Sequence, residues 1–255
     1  MKIPKKLYQV WHDKNNLPVF YNKYNTELRK QNSDYEIFLF DEKEIDLFVN
    51  TYYSGKIVEL YNRIQIITAK VDFWRILYLY KNGGVYLDID SMFTEPLSNL
   101  IKKDDMAIIT RESNTPFTYV QWGLIFCKEH PILKKTIENI VDNLKYNRYP
   151  NHIGKMTGPY PFTEAVDYYM NMNEDKINRE NNVLWGIGKK ELIPDKTFKY
   201  QSFSYRIAGV DYGKYALSWV PEKNQMYYHE RNGHDKKACG EHWTVAQRRK
   251  TILKI

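Results

Sequence analysis

The run from Ala69 to Ser91, AKVDFWRILYLYKNGGVYLDIDS, constrains the chain most, because it joins an apolar-striped helix to an acid-bearing strand through two glycines. Ile66, Ala69, Phe73, Ile76, Leu77 and Tyr80 recur at three- and four-residue steps, the spacing of one buried helix face. Asp72 and Arg75 stand three apart on a different face, where the simplest reading is a surface ion pair. Lys81-Asn82-Gly83-Gly84 ends the helix, since glycine takes the left-handed conformation without a Cβ penalty. From Val85 to Asp90, strict alternation predicts Val85, Leu87 and Ile89 on one strand face and Tyr86, Asp88 and Asp90 on the other. Carboxylates one pleat apart, about 7 Å, repel each other, and a divalent cation removes that cost. Hard cations such as Mg²⁺ or Mn²⁺ take carboxylate and phosphate oxygens and leave coordination positions for substrate phosphates. The alternative for a bare Asp-x-Asp is a solvent-facing pair of acids on a half-buried strand.

The flanking pattern predicts an α/β chain. Ile3 to Trp11 reads as a first strand, Pro18 to Gln31 as a polar helix and Tyr35 to Asp41 as a second strand. Asp41-Glu42-Lys43-Glu44 opens the next helix with acids in its first turn. Met106 to Thr110 and Gly123 to Cys127 are further strands, with Thr115 to Gln121 between them expected as a mobile edge of the site. His130 and Pro131 open the helix Ile132 to Tyr146, with His130 a helix-capping or loop residue, and Thr157-Gly158-Pro159 is a turn followed by the helix Phe162 to Met172. From Val183 the chain is β-prone and aromatic. Strand and helix alternate, so right-handed crossovers make the core sheet largely parallel.

A chain of 255 residues with 43% hydrophobic residues has the size of one domain. Its formal charge of +7 favours anionic partners, which include nucleotide phosphates, nucleic acid and acidic membrane surfaces. The lysines are scattered and no recognition motif for nucleic acid appears. Cys127 and Cys239 provide neither a disulfide framework nor a thiolate metal site. With no run of about 20 apolar residues and no signal-type apolar core after Met1, a cytoplasmic protein with at most peripheral membrane contact is expected.

The run Ala69-x-x-Asp72-x-x-Arg75-x-x-x-Leu79-Tyr80-x-x-Gly83-Gly84-x-Tyr86-x-Asp88-x-Asp90 resembles the signature of glycosyltransferase family 32, the DXD-containing sugar-binding group. That group includes yeast initiating α-1,6-mannosyltransferases, capsular polysaccharide transferases and distant relatives among clostridial glucosylating toxins. The opening strand, Ile3-Pro4-Lys5-Lys6-Leu7-Tyr8-Gln9-Val10-Trp11, is similar to the family's first strand, with Tyr8 where His is usual.

The resemblance implies a single GT-A-like domain over 1–255, with a Rossmann-type, mostly parallel central sheet flanked by helices. Its nucleotide-binding half is about 1–128 and its acceptor-side half about 129–255. It implies a metal-dependent, retaining transfer of a hexose from a UDP- or GDP-linked sugar to a glycan or glycolipid acceptor. Protein glycosylation by an effector, and less so nucleic-acid binding, stand as alternatives. A metal-dependent hydrolase would need a further acid, base or metal pair near Asp88, and no motif supplies one.

Residue by residue, the resemblance gives Asp88, Asp90 and Arg75 the catalytic roles. Val10, Trp11, Asp72, Arg75, Asp88 and Trp243 bind the nucleotide sugar, with Trp11 stacking on the base and Trp243 reaching phosphate. Asp90, Asp88 and His242 hold Mn²⁺ or Mg²⁺, His242 being preferred to His229 and His234 as third ligand. Asn232 to Gly240 is polar and glycine-flanked, so the C-terminal segment is expected to close over the donor. Its removal from Gly240 onward is expected to cost activity more than stability.

Overall fold

The computed structural model describes residues 2–18, 21–93, 95–110, 118–172, 196–200, 203–207, 217–219 and 243–254. The first half runs β1 (Lys6–Val10), α1 (Tyr21–Gln31), β2 (Glu36–Phe40), α2 (Glu42–Tyr52), α3 (Lys56–Arg63), α4 (Ile67–Asn82), β3 (Gly84–Leu87), β4 (Ser91–Phe93), α5 (Leu97–Leu100), β5 (Ala107–Ile109) and β6 (Gly123–Phe126). Then come α6 (Pro131–Lys145), α7 (Ile153–Met156), α8 (Pro159–Met172), β7 (Lys196–Tyr200), β8 (Phe203–Ile207), β9 (Leu217–Trp219) and α9 (Trp243–Arg249). No helix among the described residues is long and apolar enough to cross a membrane.

Seven strands form one sheet in the order β2-β1-β3-β6-β5-β8-β7, and β4 pairs separately with β9. β1 is parallel to β2 and β3, and β5 to β8, while β6 is antiparallel to both β3 and β5 and β7 to β8. Of these seven, β1, β2, β3, β5 and β8 therefore point one way and β6 and β7 the other. This is the expected α/β, mostly parallel sheet with flanking helices, and its antiparallel members enter after β3.

Alternation along β1 divides the core. Tyr8 and Val10 pack with Phe73, Trp74 and Leu77 of α4 on one face. Leu7 packs with Leu28 of α1 and with Val85 and Leu87 of β3 on the other. Asp41 caps α2 by accepting the Glu44 N–H at 3.0 Å, and the Glu44 carboxylate accepts the Asp41 N–H at 2.9 Å, a reciprocal box. His130 is fully buried and its Nδ1 accepts the Ile132 N–H at 3.3 Å, the helix-cap role read from the sequence.

Two expectations change. Thr118, Tyr119, Val120 and Gln121 are all buried, so this part of the expected mobile edge is packed structure, and Thr115 to Phe117 lie outside the described residues. The end of the chain is also tied into the core. Ala246, Ile252 and Leu253 are buried in the cluster that contains α4, and Leu253 bridges to Ile64. Gln65 donates its side-chain N–H to the carbonyls of Thr251 and Leu253 at 2.7 and 3.2 Å. Removal from Gly240 onward therefore strips core side chains and must cost stability as well as activity, because apolar burial and not composition decides what holds a segment down. Ile252→Ala is expected to destabilise by about 2–5 kcal/mol, the range for a buried aliphatic truncation. Urea unfolding measures it, and a loss below 1 kcal/mol would mean that the chain end is not part of the core. Asn232 to Gly240 and much of the β-prone tail from Val183 lie outside the described residues.

Candidate active site

Helix α4 builds the site by turning two charges inward on a face that its apolar stripe does not fill. Asp72 and Arg75 are 6% and 5% exposed, so the pair read as a surface ion pair is buried. Arg75 Nη2 stands 2.9 Å from Asp72 Oδ1 and 3.5 Å from Asp88 Oδ1. Its Nη1 donates to the Gln121 carbonyl at 2.9 Å, and the guanidinium lies 4.6 Å from the centre of the Tyr86 ring. Arg75 Nε is buried and has no hydrogen-bond partner.

Gly83 and Gly84 adopt φ 65° and 107° and deliver the chain into β3. A Cβ on Gly84 would lie 2.7 Å from the Lys6 carbonyl oxygen, so only glycine lets β3 approach β1 there. Tyr86 then points into the site and donates its hydroxyl to Asp88 Oδ1 at 2.6 Å. Here the predicted strand needs correction. β3 ends at Leu87, paired with Gly123, and the Asp88 N–H bonds to the Trp122 carbonyl at 2.8 Å. The Ser91 N–H returns to the Asp88 carbonyl at 3.0 Å, so Asp90 sits in a turn and not one pleat along the strand. The long-range pairing partner stops the ladder before alternation does.

A second layer comes from the α7–α8 turn. Thr157 Oγ1 donates to Asp72 Oδ2 at 3.4 Å, and Gln121 Nε2 donates to the Thr157 carbonyl at 3.1 Å. A Cβ on Gly158 would lie 2.7 Å from Gly154 Cα and 3.3 Å from Asp72 Oδ2. Thr157-Gly158 is therefore a close-fitting cover on Asp72. Tyr86 was absent from the site residues drawn from the sequence, while Gln121 and Thr157 stood there only as the end of the mobile edge and as part of a turn. Tyr86 was findable, since it precedes Asp88 by two and shares its face.

Burial pushes the Asp72 carboxyl up to about 6; Arg75 opposes the shift, Asp88 adds to it and Thr157 opposes it again. Burial disfavours the Arg75 cation, yet Asp88, Tyr86, Asp72 and Asp90 outweigh it and hold its pKa above the usual guanidinium value. Between about pH 4, where an unfolded Asp ionises, and about pH 6 the folded protein binds more protons through Asp72 than the unfolded chain. Stability is thus expected to fall as pH rises across that window, by about 3 kcal/mol from this group. Urea unfolding of the metal-free protein and of Asp72→Asn at several pH values checks this. Equal pH slopes in the two proteins would assign the decline elsewhere.

Trp11 follows β1 at the C-terminal edge of the sheet, its N–H bonded to the Phe40 carbonyl at 2.9 Å. It is half-buried, its indole N–H donates to the Asn16 carbonyl at 2.8 Å, and it stands outside both core clusters. Val10 is buried in the α4-side core, and continuing the β1–β3 register sets it level with Asp88. The edge where Trp11 and Asp88 emerge from neighbouring parallel strands is where open α/β sheets bind ligands. Asp88 and Asp90 are both half-buried. His242 lies outside the described residues, and Trp243 enters as the first residue of α9.

Residues 18–107 match the family model of the glycosyltransferase sugar-binding region containing the DXD motif. The initiation-specific alpha-1,6-mannosyltransferase of Candida albicans is 27% identical over 205 residues, covering 66% of this chain and 53% of the relative. Inositol phosphoceramide mannosyltransferase 1 of Schizosaccharomyces pombe is 27% identical over 201 residues, covering 77% of this chain and 61% of that protein. The chain thus matches little more than half the length of these curated relatives. A solved structure of the PaToxG glycosyltransferase superposes with a TM-score of 0.54 at 19% identity, over 72% of this chain and 75% of that one, a likeness of fold. Through residues 18–107, the stretch that carries Asp72, Arg75, Asp88 and Asp90, the chain is similar to the DXD-containing glycosyltransferase sugar-binding family.

Proposed function

We propose that this chain transfers a hexose from a UDP- or GDP-linked sugar to a glycan or glycolipid acceptor, with retention, using Mn²⁺ or Mg²⁺. The observation that carries the reading is the buried Arg75 guanidinium locked between Asp72 and Asp88 at the mouth of β3, with Asp90 in the next turn. Three carboxylates gather along one guanidinium, an excess of negative charge that a divalent cation would offset. The donor set fits, because carboxylate oxygens suit hard cations. Among the described residues no three His, Cys, Asp or Glu converge on one point. In this reading two aspartates, His242 and the substrate's own phosphates would share the coordination shell.

Bound there, the cation would stabilise by several kcal/mol the charge that develops on the departing diphosphate. The side chains position the substrate. Tyr86 and Arg75 fix the Asp88 carboxylate through Oδ1, so it meets a cation already oriented. Arg75 Nε, a buried donor without a partner, would be satisfied by a phosphate or sugar oxygen. Asp72 accepts a ribose or sugar hydroxyl, and Trp11 stacks on the base. Retention and the UDP or GDP base rest on the family resemblance.

Mass-spectrometric screening of UDP-glucose, UDP-galactose, UDP-GlcNAc and GDP-mannose with Mn²⁺ tests the proposal, and the relatives' names put GDP-mannose first. Turnover of at least one donor, lost on chelation, is expected. Turnover of none would overturn it, and salt-dependent DNA or RNA binding would then favour the nucleic-acid alternative.

Trp11→Ala is expected to weaken UDP or GDP binding by about 1–3 kcal/mol, the scale of base–aromatic stacking, whatever sugar is attached. Calorimetric titration checks it. Unchanged affinity with a much lower melting temperature would make Trp11 a packing residue.

A further inference from the structure

The sheet face opposite Arg75 carries a cavity of about 540 Å³ between α1 and the turn into β4. Tyr21, Tyr24 and Leu28 of α1, Gln9 of β1, and Ile89 and Ser91 on either side of Asp90 line it. The volume falls within the range of roughly 300–1,000 Å³ common to small-molecule sites. Alternation separates it from Arg75, since Gln9 shares the face of Leu7, which packs with α1, while Tyr8 and Val10 pack with α4.

Gln9 points to a ligand. It is 3% exposed, it lines the cavity, and its Oε1 has no hydrogen-bond partner. A buried amide oxygen left without a donor is costly, so an occupant must present an O–H or N–H. The rest of the lining selects the class. Tyr21 and Tyr24 supply aromatic surface, with the Tyr21 hydroxyl accepting from Asn25 Nδ2 at 2.9 Å, and Leu28 and Ile89 supply aliphatic surface. Glu27 and Lys30 cancel in charge among the described lining residues, so no net charge is demanded of the occupant. A neutral sugar, with apolar C–H faces and a hydroxyl edge, fits this lining.

We propose that the cavity between α1 and β4 is a subsite for a neutral sugar unit of the acceptor, recognised by Gln9 and the Tyr21 and Tyr24 rings. The assignment to an acceptor rests on the transferase reading. Ser91 Oγ donates to Asp90 Oδ1 at 3.3 Å, so a sugar against Ser91 lies one residue from the Asp88–Asp90 turn and approaches it from the face away from Arg75. Acceptor recognition then extends into the half of the chain assigned to the nucleotide.

The test is calorimetric titration of the full chain, without donor or cation, with α-1,6-mannobiose, maltose, cellobiose and N,N′-diacetylchitobiose. At least one is expected to bind, and its affinity to fall about tenfold or more in Gln9→Leu. If Gln9→Leu does not fold, Asn25→Trp, which narrows the cavity from α1, is expected to give the same loss. No binding by the wild-type chain, or a smaller loss in the folded variant, overturns the proposal and leaves Gln9 to water. Donor turnover without disaccharide binding overturns the cavity alone. Disaccharide binding without donor turnover overturns the transferase reading and reduces the cavity to a lectin-like site.

Discussion

Asp90→Asn is expected to lower transfer by roughly 10²–10³-fold or more, while its melting temperature stays unchanged or rises. Asp90 occupies a half-buried turn, where Ser91 Oγ is its neighbouring donor. Its charge adds to those of Asp72 and Asp88, with Arg75 as the nearby cation. Removing one carboxylate relieves like-charge repulsion in the metal-free protein and deletes a ligand for the cation. Function and stability should therefore separate, as they do where a site is held against its own strain. Initial rates at low Mn²⁺ and a thermal melt read both quantities. Wild-type rates in the variant would remove Asp90 from the metal site.

Arg75→Met is expected to do the opposite to stability. The guanidinium touches Asp72, Asp88, the Gln121 carbonyl and the Tyr86 ring, and it is 5% exposed. Breaking a buried pair on one side leaves uncompensated carboxylates, a loss of about 3–5 kcal/mol. Activity should vanish as well, because Asp88 loses the contact that orients it. Adding Asp72→Asn to Arg75→Met should recover much of the stability and none of the activity, the non-additivity expected of groups in one network. Urea unfolding of the single and double variants measures the recovery. If the double variant is no more stable than Arg75→Met, the loss comes from packing and the charge account is wrong.

What could be read in the sequence follows the range of the interactions concerned. The α4 stripe, the Gly83-Gly84 stop, the acids that open α2 and the place of His130 at the start of α6 are local, set by residues within a turn of one another, and all were legible. The family resemblance singled out Asp72, Arg75, Asp88 and Asp90, and the structure sets Arg75 against Asp72 and Asp88 with Asp90 in the next turn.

Their environment was not. Asp90 leaves the strand because the pairing with β6, more than thirty positions on, goes no further than the Asp88–Trp122 bond and the chain then turns back to the Asp88 carbonyl. Asp72 is buried because the Thr157–Gly158 turn closes over it, a contact across the whole second half of the core. The antiparallel insertion of β6 between β3 and β5, and the docking of Ile252 and Leu253 beside α4, are likewise long-range. The expectation that removal from Gly240 onward largely spares stability failed at Ala246, Ile252 and Leu253, because low apolar content upstream says nothing about a buried anchor downstream.

The central claim is that Asp88 and Asp90 hold a divalent cation that in turn holds a diphosphate. It is tested most directly by calorimetric titration of UDP and GDP into the wild-type chain and Asp90→Asn, each with Mn²⁺ and again with EDTA. The account predicts that Mn²⁺ tightens binding of at least one nucleotide about tenfold or more in the wild type, a gain of about 1.4 kcal/mol, and much less in Asp90→Asn. Nucleotide affinity that is the same with Mn²⁺ and EDTA in the wild type, or a Mn²⁺ gain fully retained in Asp90→Asn, would contradict it.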